Sequence, residues 1–102
     1  MLSIGCRYCT ASAPFYRPLV DEVALTRRTR LVAVFPQEAG DGKKYLAGLN
    51  VPIDDVRRVS PTSLGAKGSP TLILVDSGGV VIGSWVGQLP SDKEAEVFAS
   101  LQ

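Results

Sequence analysis

The sequence predicts an α/β fold with a mixed sheet covered by helices, and three observations carry that prediction. Residues 8–25 and 91–101 place apolar side chains at helical spacing, while 31–35 and 71–75 are short, continuous apolar runs rich in β-branched residues. A glycine-rich turn and another apolar run follow the second of these, which makes a β-hairpin. The order helix, strand, helix, strand, strand, helix then requires a sheet with helices packed on it. With 102 residues and 45% apolar positions, the chain is expected to form one domain over 1–102 with a single core.

Tyr8 to Leu25 reads as a helix because Phe15, Leu19 and Val23 recur at i, i+4 and i+8, with Tyr16, Val20 and Ala24 beside them. Pro14 and Pro18 lie inside this pattern, so the helix is expected to bend or restart there. Arg27, Arg28 and Arg30 follow, where cations complement the negative end of a helix. Leu31 to Phe35 suits a strand buried on both faces, ended by Pro36. Asp41 to Leu49 is expected to be a short helix capped by Asp41, with Gly48 or Asn50 near its end. Ile53 to Val59 reads as a short extended stretch, and Ser60-Pro61-Thr62-Ser63 as a cap with a brief turn of helix. Thr71 to Val75 and Val80 to Val86 form the hairpin around Asp76-Ser77-Gly78-Gly79. Ser91 to Leu101 closes the chain as a helix, with Ser91 and Glu94 at capping-box spacing and Ala95, Phe98, Ala99 and Leu101 as its apolar stripe.

Composition excludes several classes of function. A net charge of +1 provides no field for nucleic acid or an acidic membrane, so no nucleic-acid partner is expected. The longest apolar runs are far shorter than the roughly 20 residues of a membrane span. The chain as given shows no export signal, because Met1-Leu2-Ser3-Ile4 has neither a basic start nor a sufficient apolar stretch. The absence of His excludes Ser-His-Asp and Cys-His catalysis within the chain. No glycine-rich phosphate loop follows the first strand, and no cofactor is implied beyond the chain's own thiols.

Those thiols are the motif that carries chemistry. Cys6-Arg7-Tyr8-Cys9 stands where the long helix begins. A structural zinc site needs four ligands, so these two cysteines could hold a metal only across a dimer. A purely structural bridge over so short a loop constrains the unfolded chain little. A redox dithiol fits best, because a thiol at a helix start meets the positive end of the dipole and Arg7 adds a cation, both favouring thiolate. Far along the chain, Gly68-Ser69-Pro70-Thr71 places a proline directly before the best strand.

Together these features resemble the thioredoxin-like superfamily: a CxxC opening the first helix, a helix proline at Pro14, and a proline before a terminal hairpin in Ser69-Pro70-Thr71-Leu72-Ile73-Leu74-Val75-Asp76-Ser77-Gly78-Gly79. The resemblance implies a three-layer thioredoxin-like fold over most of the chain and a cis peptide before Pro70. Cys-Arg-Tyr-Cys and the long segment between the first strand and Pro70 look more like the bacterial TlpA-type thiol-disulfide oxidoreductases than thioredoxin itself. Those proteins usually act outside the cytosol, exported or membrane-tethered, and reduce or isomerise protein disulfides.

The resemblance also exposes a gap. The family runs a central strand into the dithiol, but here only five residues precede Cys6, and they span at most about 18 Å. The two flanking strands then lack a full middle partner, and three outcomes are open: the sequence starts inside a longer protein, residues 1–4 form a stub of strand, or another chain supplies the pairing. The first is the favoured expectation, an N-terminally truncated fold, with homodimerisation or strand exchange as the consequence of unpaired strand edges. The buried acid that thioredoxins carry on that strand has no equivalent. Glu38 lies nearest to such a role but reads more naturally as a solvated loop carboxylate.

The resulting functional expectation is a thiol-disulfide oxidoreductase acting on a disulfide- or dithiol-containing protein, with an upstream redox partner. Cys6, nearest the free amides of the helix start, is expected to have the lower pKa and to attack, and Cys9 to resolve. Arg7 and Tyr8 would shape the surface beside Cys6; Pro70, if cis as the resemblance implies, cannot donate a backbone hydrogen bond, which leaves Ser69 to offer its backbone to an extended substrate. Trp85 reads as a core residue. The alternatives are a thioredoxin-fold binding module without turnover, and a dimeric CxxC metal-binding protein.

Overall fold

The computed structural model describes residues 1–60 and 69–101. The chain forms helices α1 (Arg7–Ala11) and α2 (Ala13–Thr26), strand β1 (Ala33–Phe35), helix α3 (Ala39–Gly48), strand β2 (Val56–Arg58), the hairpin β3 (Thr71–Val75) and β4 (Val81–Val86), and helix α4 (Ser91–Ser100). The β1 and β2 strands pair in parallel, Val34 opposite Arg57, and β3 and β4 pair antiparallel, Leu72 opposite Trp85, with an irregularity at Leu74/Val75. The Ser60–Ser63 expectation lies mostly outside the described residues.

The predicted first helix is two helices. It restarts at Ala13, with Pro14 in the first turn of α2, where a missing amide donor costs nothing, while Pro18 is accommodated inside. Phe15, Leu19 and Val23 are its buried residues besides Ala13, as their spacing requires. Arg27 caps the helix in a left-handed conformation, φ 55°, and Arg30 reaches forward to an ion pair with Asp55. The α3 helix starts at Ala39, earlier than expected, with Glu38 as its cap and Asp41 in its first turn. At α4 the capping box does not form. Pro90 occupies the cap, so Ser91 is already helical, and the Pro90 carbonyl accepts from the amides of Lys93 and Glu94. Its inner face is Val97, Phe98 and Leu101, while Ala95 and Ala99 are exposed, because the larger side chains take the contact with the hairpin.

The gap before the dithiol is bridged by the first residues of the chain, the stub among the three expected outcomes, so the flanking strands are not without a middle partner. The Leu2 amide donates to the Val34 carbonyl at 2.9 Å, and the Met1 carbonyl accepts the Thr71 amide at 2.9 Å. The Met1 amine donates to the Thr71 carbonyl. Backbone groups that would otherwise be buried without partners are thus satisfied by two residues, which tie the β1–β2 pair to the hairpin. Alongside Met1 the space between β1 and β3 continues as an apolar slot of about 380 Å³, lined by Val32, Val34, Ile73, Val75, Leu19 and Val23 among others.

Among the described residues, most of the buried apolar side chains fall into two clusters. One gathers Leu2, Cys9, Ala13, Ala33, Phe35, Leu46 and Val51 beneath the start of the helical pair. The other joins Phe15 and Leu19 of α2 to Trp85 of β4 and Val97 of α4. In the second, Phe15 meets Phe98 edge to face at 5.7 Å. Trp85 is 8% exposed and donates its indole N–H to Glu96, so it is a core residue.

Candidate active site

The turn into α1 is built by Gly5, whose φ of +81° disfavours a side chain. Gln37 fixes the same segment from the far side of β1: its amide nitrogen donates to the Ser3 hydroxyl at 3.1 Å, and its oxygen accepts the Ile4 amide at 3.2 Å. Cys6 then occupies the cap position of α1, and its Sγ accepts the Cys9 backbone N–H at 3.2 Å. A sulfur thus takes the capping role that Ser or Asp usually fills. Both cysteines are free thiols, Cys6 half-buried and Cys9 buried at 1% exposure.

Burial pushes the Cys9 thiol up to about 12, helped by its hydrogen bond and proximity to Cys6, and opposed by the Ser3 backbone and the nearby chain terminus. Tyr16 and Tyr45 flank the pair, and burial raises both phenols above their ordinary value, so each stays protonated at neutral pH. The Tyr45 hydroxyl lies 2.7 Å from Thr10 Oγ1, which donates to the Cys6 carbonyl at 3.3 Å. Ser12, at 4% exposure, closes the other side of the turn by donating its hydroxyl to the Tyr8 carbonyl at 2.7 Å.

Arg7 and Tyr8 are exposed at the surface next to Cys6, with the guanidinium 5.9 Å from the centre of the Tyr8 ring. The Ser69–Pro70 peptide is cis. Pro70 is fully buried and lines, together with Ser12 and Tyr16, a cavity of about 10 Å³ that adjoins the α1–α2 junction. The Pro70 carbonyl accepts the Gly87 amide at 2.7 Å, which anchors the start of the hairpin. The structure therefore brings Cys6, Cys9, Arg7 and Tyr8 together on one short turn and sets Pro70 against the next turn of the same helical pair. Glu38 is an exposed residue capping α3.

Sequence reading missed Thr10, Ser12, Tyr16, Gln37 and Tyr45. Tyr16 was visible as part of the helical stripe, but nothing marked it as a neighbour of the thiols. Tyr45 and Gln37 come from later elements and reach the dithiol only through tertiary folding. Among the described residues, no group of three or more His, Cys, Asp or Glu side chains could hold a metal ion, and no helix is long and apolar enough to cross a membrane.

A CxxC capping a helix, with a proline that opens a β-hairpin packed against the following turn, defines a thioredoxin-like protein. Comparison with solved structures agrees. The chain is similar to the crystal structure of a Chlorobium tepidum protein provisionally titled thiol:disulfide interchange protein DsbE, with 31% identity and a TM-score of 0.73 over 99% of this chain and 76% of that one. The chain belongs to the thioredoxin-like superfamily. No protein-family model and no curated protein matches the sequence. The neighbour's title supports thiol-disulfide chemistry as the general class of activity.

Proposed function

We propose that the chain, acting as one thioredoxin-like domain, exchanges a Cys6–Cys9 dithiol with disulfides of protein substrates. The observation that carries this reading is the asymmetry of the pair. Cys6 is the more accessible thiol, at a helix cap with its sulfur on a backbone N–H, whereas Cys9 is buried beneath it and holds its proton tightly.

In the proposed cycle the Cys6 thiolate attacks one sulfur of a substrate disulfide. The substrate S–S bond breaks, a Cys6–substrate disulfide forms, and the departing substrate thiolate takes up a proton. Cys9 then gives up its proton and attacks the Cys6 sulfur, releasing the second substrate thiolate. Two electrons have passed to the substrate and the chain holds a Cys6–Cys9 disulfide, which an upstream dithiol partner must reduce. Tying Cys6 into the mixed disulfide removes its hydrogen bond to and charge near Cys9, which eases the second deprotonation and leaves burial, the largest cause throughout, as the obstacle. Tyr8 and Arg7 form the surface the substrate meets; Pro70 has no N–H and its carbonyl is taken by Gly87, which leaves Ser69 to offer its backbone to an extended segment. Homodimerisation by strand exchange is supported by the apolar slot between β1 and β3.

The test is equilibration in glutathione buffers followed by alkylation and mass measurement, with size-exclusion chromatography of the same sample. A reversible intramolecular disulfide, dithiothreitol-driven insulin reduction that disappears with Cys6→Ser, and a trapped mixed disulfide with Cys9→Ser are the expected results. No intramolecular disulfide at any poise would overturn the reading. One zinc or copper(I) ion bound per two chains would favour the metal-binding alternative, and a folded but redox-inert chain the binding module.

A further inference from the structure

The dithiol turn is held by a helix too short to hold itself. The α1 helix has five residues and ends at Ser12, and a single helical turn fixes several dihedral angles for very few hydrogen bonds, so it is unfavourable without outside support. Part of that support comes from α3. Gly42 of α3 lies so close to Phe35 that a Cβ there would stand 2.6 Å from the ring, and Phe35 is completely buried. One turn further on, Tyr45 packs edge to face on the same ring at 6.1 Å, leaving its hydroxyl over the dithiol turn.

The direction of the hydroxyl chain follows from donor and acceptor counts. The Cys6 carbonyl can only accept, so at 3.3 Å it takes the single hydroxyl hydrogen of Thr10. Tyr45 must then be the donor in its 2.7 Å contact with Thr10 Oγ1. The Thr10 amide reaches the same Cys6 carbonyl at 3.1 Å, which leaves Cys6 bound twice to the residue that Tyr45 grips. The raised phenol keeps Tyr45 a donor at neutral pH.

We propose that Tyr45 is a positioning residue for the dithiol, acting through Thr10 to hold the Cys6–Thr10 turn so that the two sulfurs face one another. The proposal rests on the thiol-disulfide reading above. In exchange with oxidised glutathione, the glutathione S–S bond breaks, the Cys6–Cys9 bond forms, and the two thiol protons leave with two molecules of reduced glutathione. Slackening the turn lowers the effective concentration of one thiol at the other, which disfavours ring closure and shifts this equilibrium toward the dithiol.

The experiment compares the wild type with Tyr45→Phe, Thr10→Val, the double variant and Thr10→Ser in glutathione buffers, read by alkylation and mass. Tyr45→Phe keeps the ring on Phe35 and removes only the hydroxyl. It is expected to lower the dithiol oxidation constant about three- to tenfold, a tenfold change being about 30 mV. Thr10→Val should do the same, the double variant should be no worse than the larger single, and Thr10→Ser should restore the wild-type value. An unchanged constant in Tyr45→Phe, even with a lowered Tm, or strictly additive single effects would overturn the proposal. Failure of the wild type itself to form the disulfide would be seen first and would instead sink the redox reading on which the proposal stands.

Discussion

The two buried clusters of this molecule are packed to different standards. Between β1, α3 and the dithiol turn the space is filled: Phe35, Leu46 and Val51 are essentially inaccessible and Gly42 sits where no larger residue fits, the edge of this cluster at Leu2 and Ala33 bordering a cavity of only about 50 Å³. Across the sheet, β3 and the end of α2 border an open apolar slot of about 380 Å³, and Val75, Val80, Val81 and Ile82 at the hairpin tip are more than 45% exposed. The tight cluster carries the dithiol and the loose one does not. Thiol exchange requires two sulfurs held in fixed relation while a substrate sulfur comes and goes, and close packing is what fixes positions. Pro70, just before the hairpin, is buried between the two clusters, beside Ser12 and Tyr16 on one side and Phe15 and Trp85 on the other.

Substitutions test this difference in packing. The largest expected effect is Phe35→Ala, which removes the ring supporting both Gly42 and Tyr45 and should cost about 3–5 kcal/mol in denaturant unfolding. Gly42→Ala should come next, at about 1–3 kcal/mol, because its added methyl meets the Phe35 ring and must push α3 away. A matched pair then tests the comparison directly. Val51→Ile, in the filled cluster, should destabilise by about 1–3 kcal/mol, whereas Val34→Ile, facing the slot, should cost less than about 1 kcal/mol or stabilise slightly. Equal costs for the two would show that the slot is filled in solution.

The smallest effect near neutrality concerns pH. Cys9 has its folded value raised from about 9 to about 12, so the folded state binds the proton more tightly than the unfolded chain does. The resulting stabilisation is complete below pH 9 and is lost as pH rises from 9 toward 12. A reduced sample should therefore lose stability over that window; Cys9→Ser should remove the part of the loss between pH 9 and 10, while the raised phenols of Tyr16 and Tyr45 keep a slope above pH 10.

Much of the fold was legible in the sequence because its signals are local. The spacing of Phe15, Leu19 and Val23 specified the buried face of α2, the two apolar runs around Asp76–Gly79 specified the hairpin, and Cys6-Arg7-Tyr8-Cys9 marked the helix start. Local signals also misled. Ser91 and Glu94 have capping-box spacing, but the chain enters α4 from Pro90, and only the direction of entry decides which residue is the cap.

Composition and short-range spacing are enough to say which residues are apolar, where the chain can turn and that two thiols lie three positions apart. The tertiary structure alone decided that Met1 and Leu2 bridge the strands flanking them, that Cys9 is buried while Cys6 is not, and that Tyr45 and Gln37 reach the dithiol segment from α3 and from beyond β1. Those facts depend on contacts between residues more than 30 positions apart, and no local pattern encodes a long-range contact.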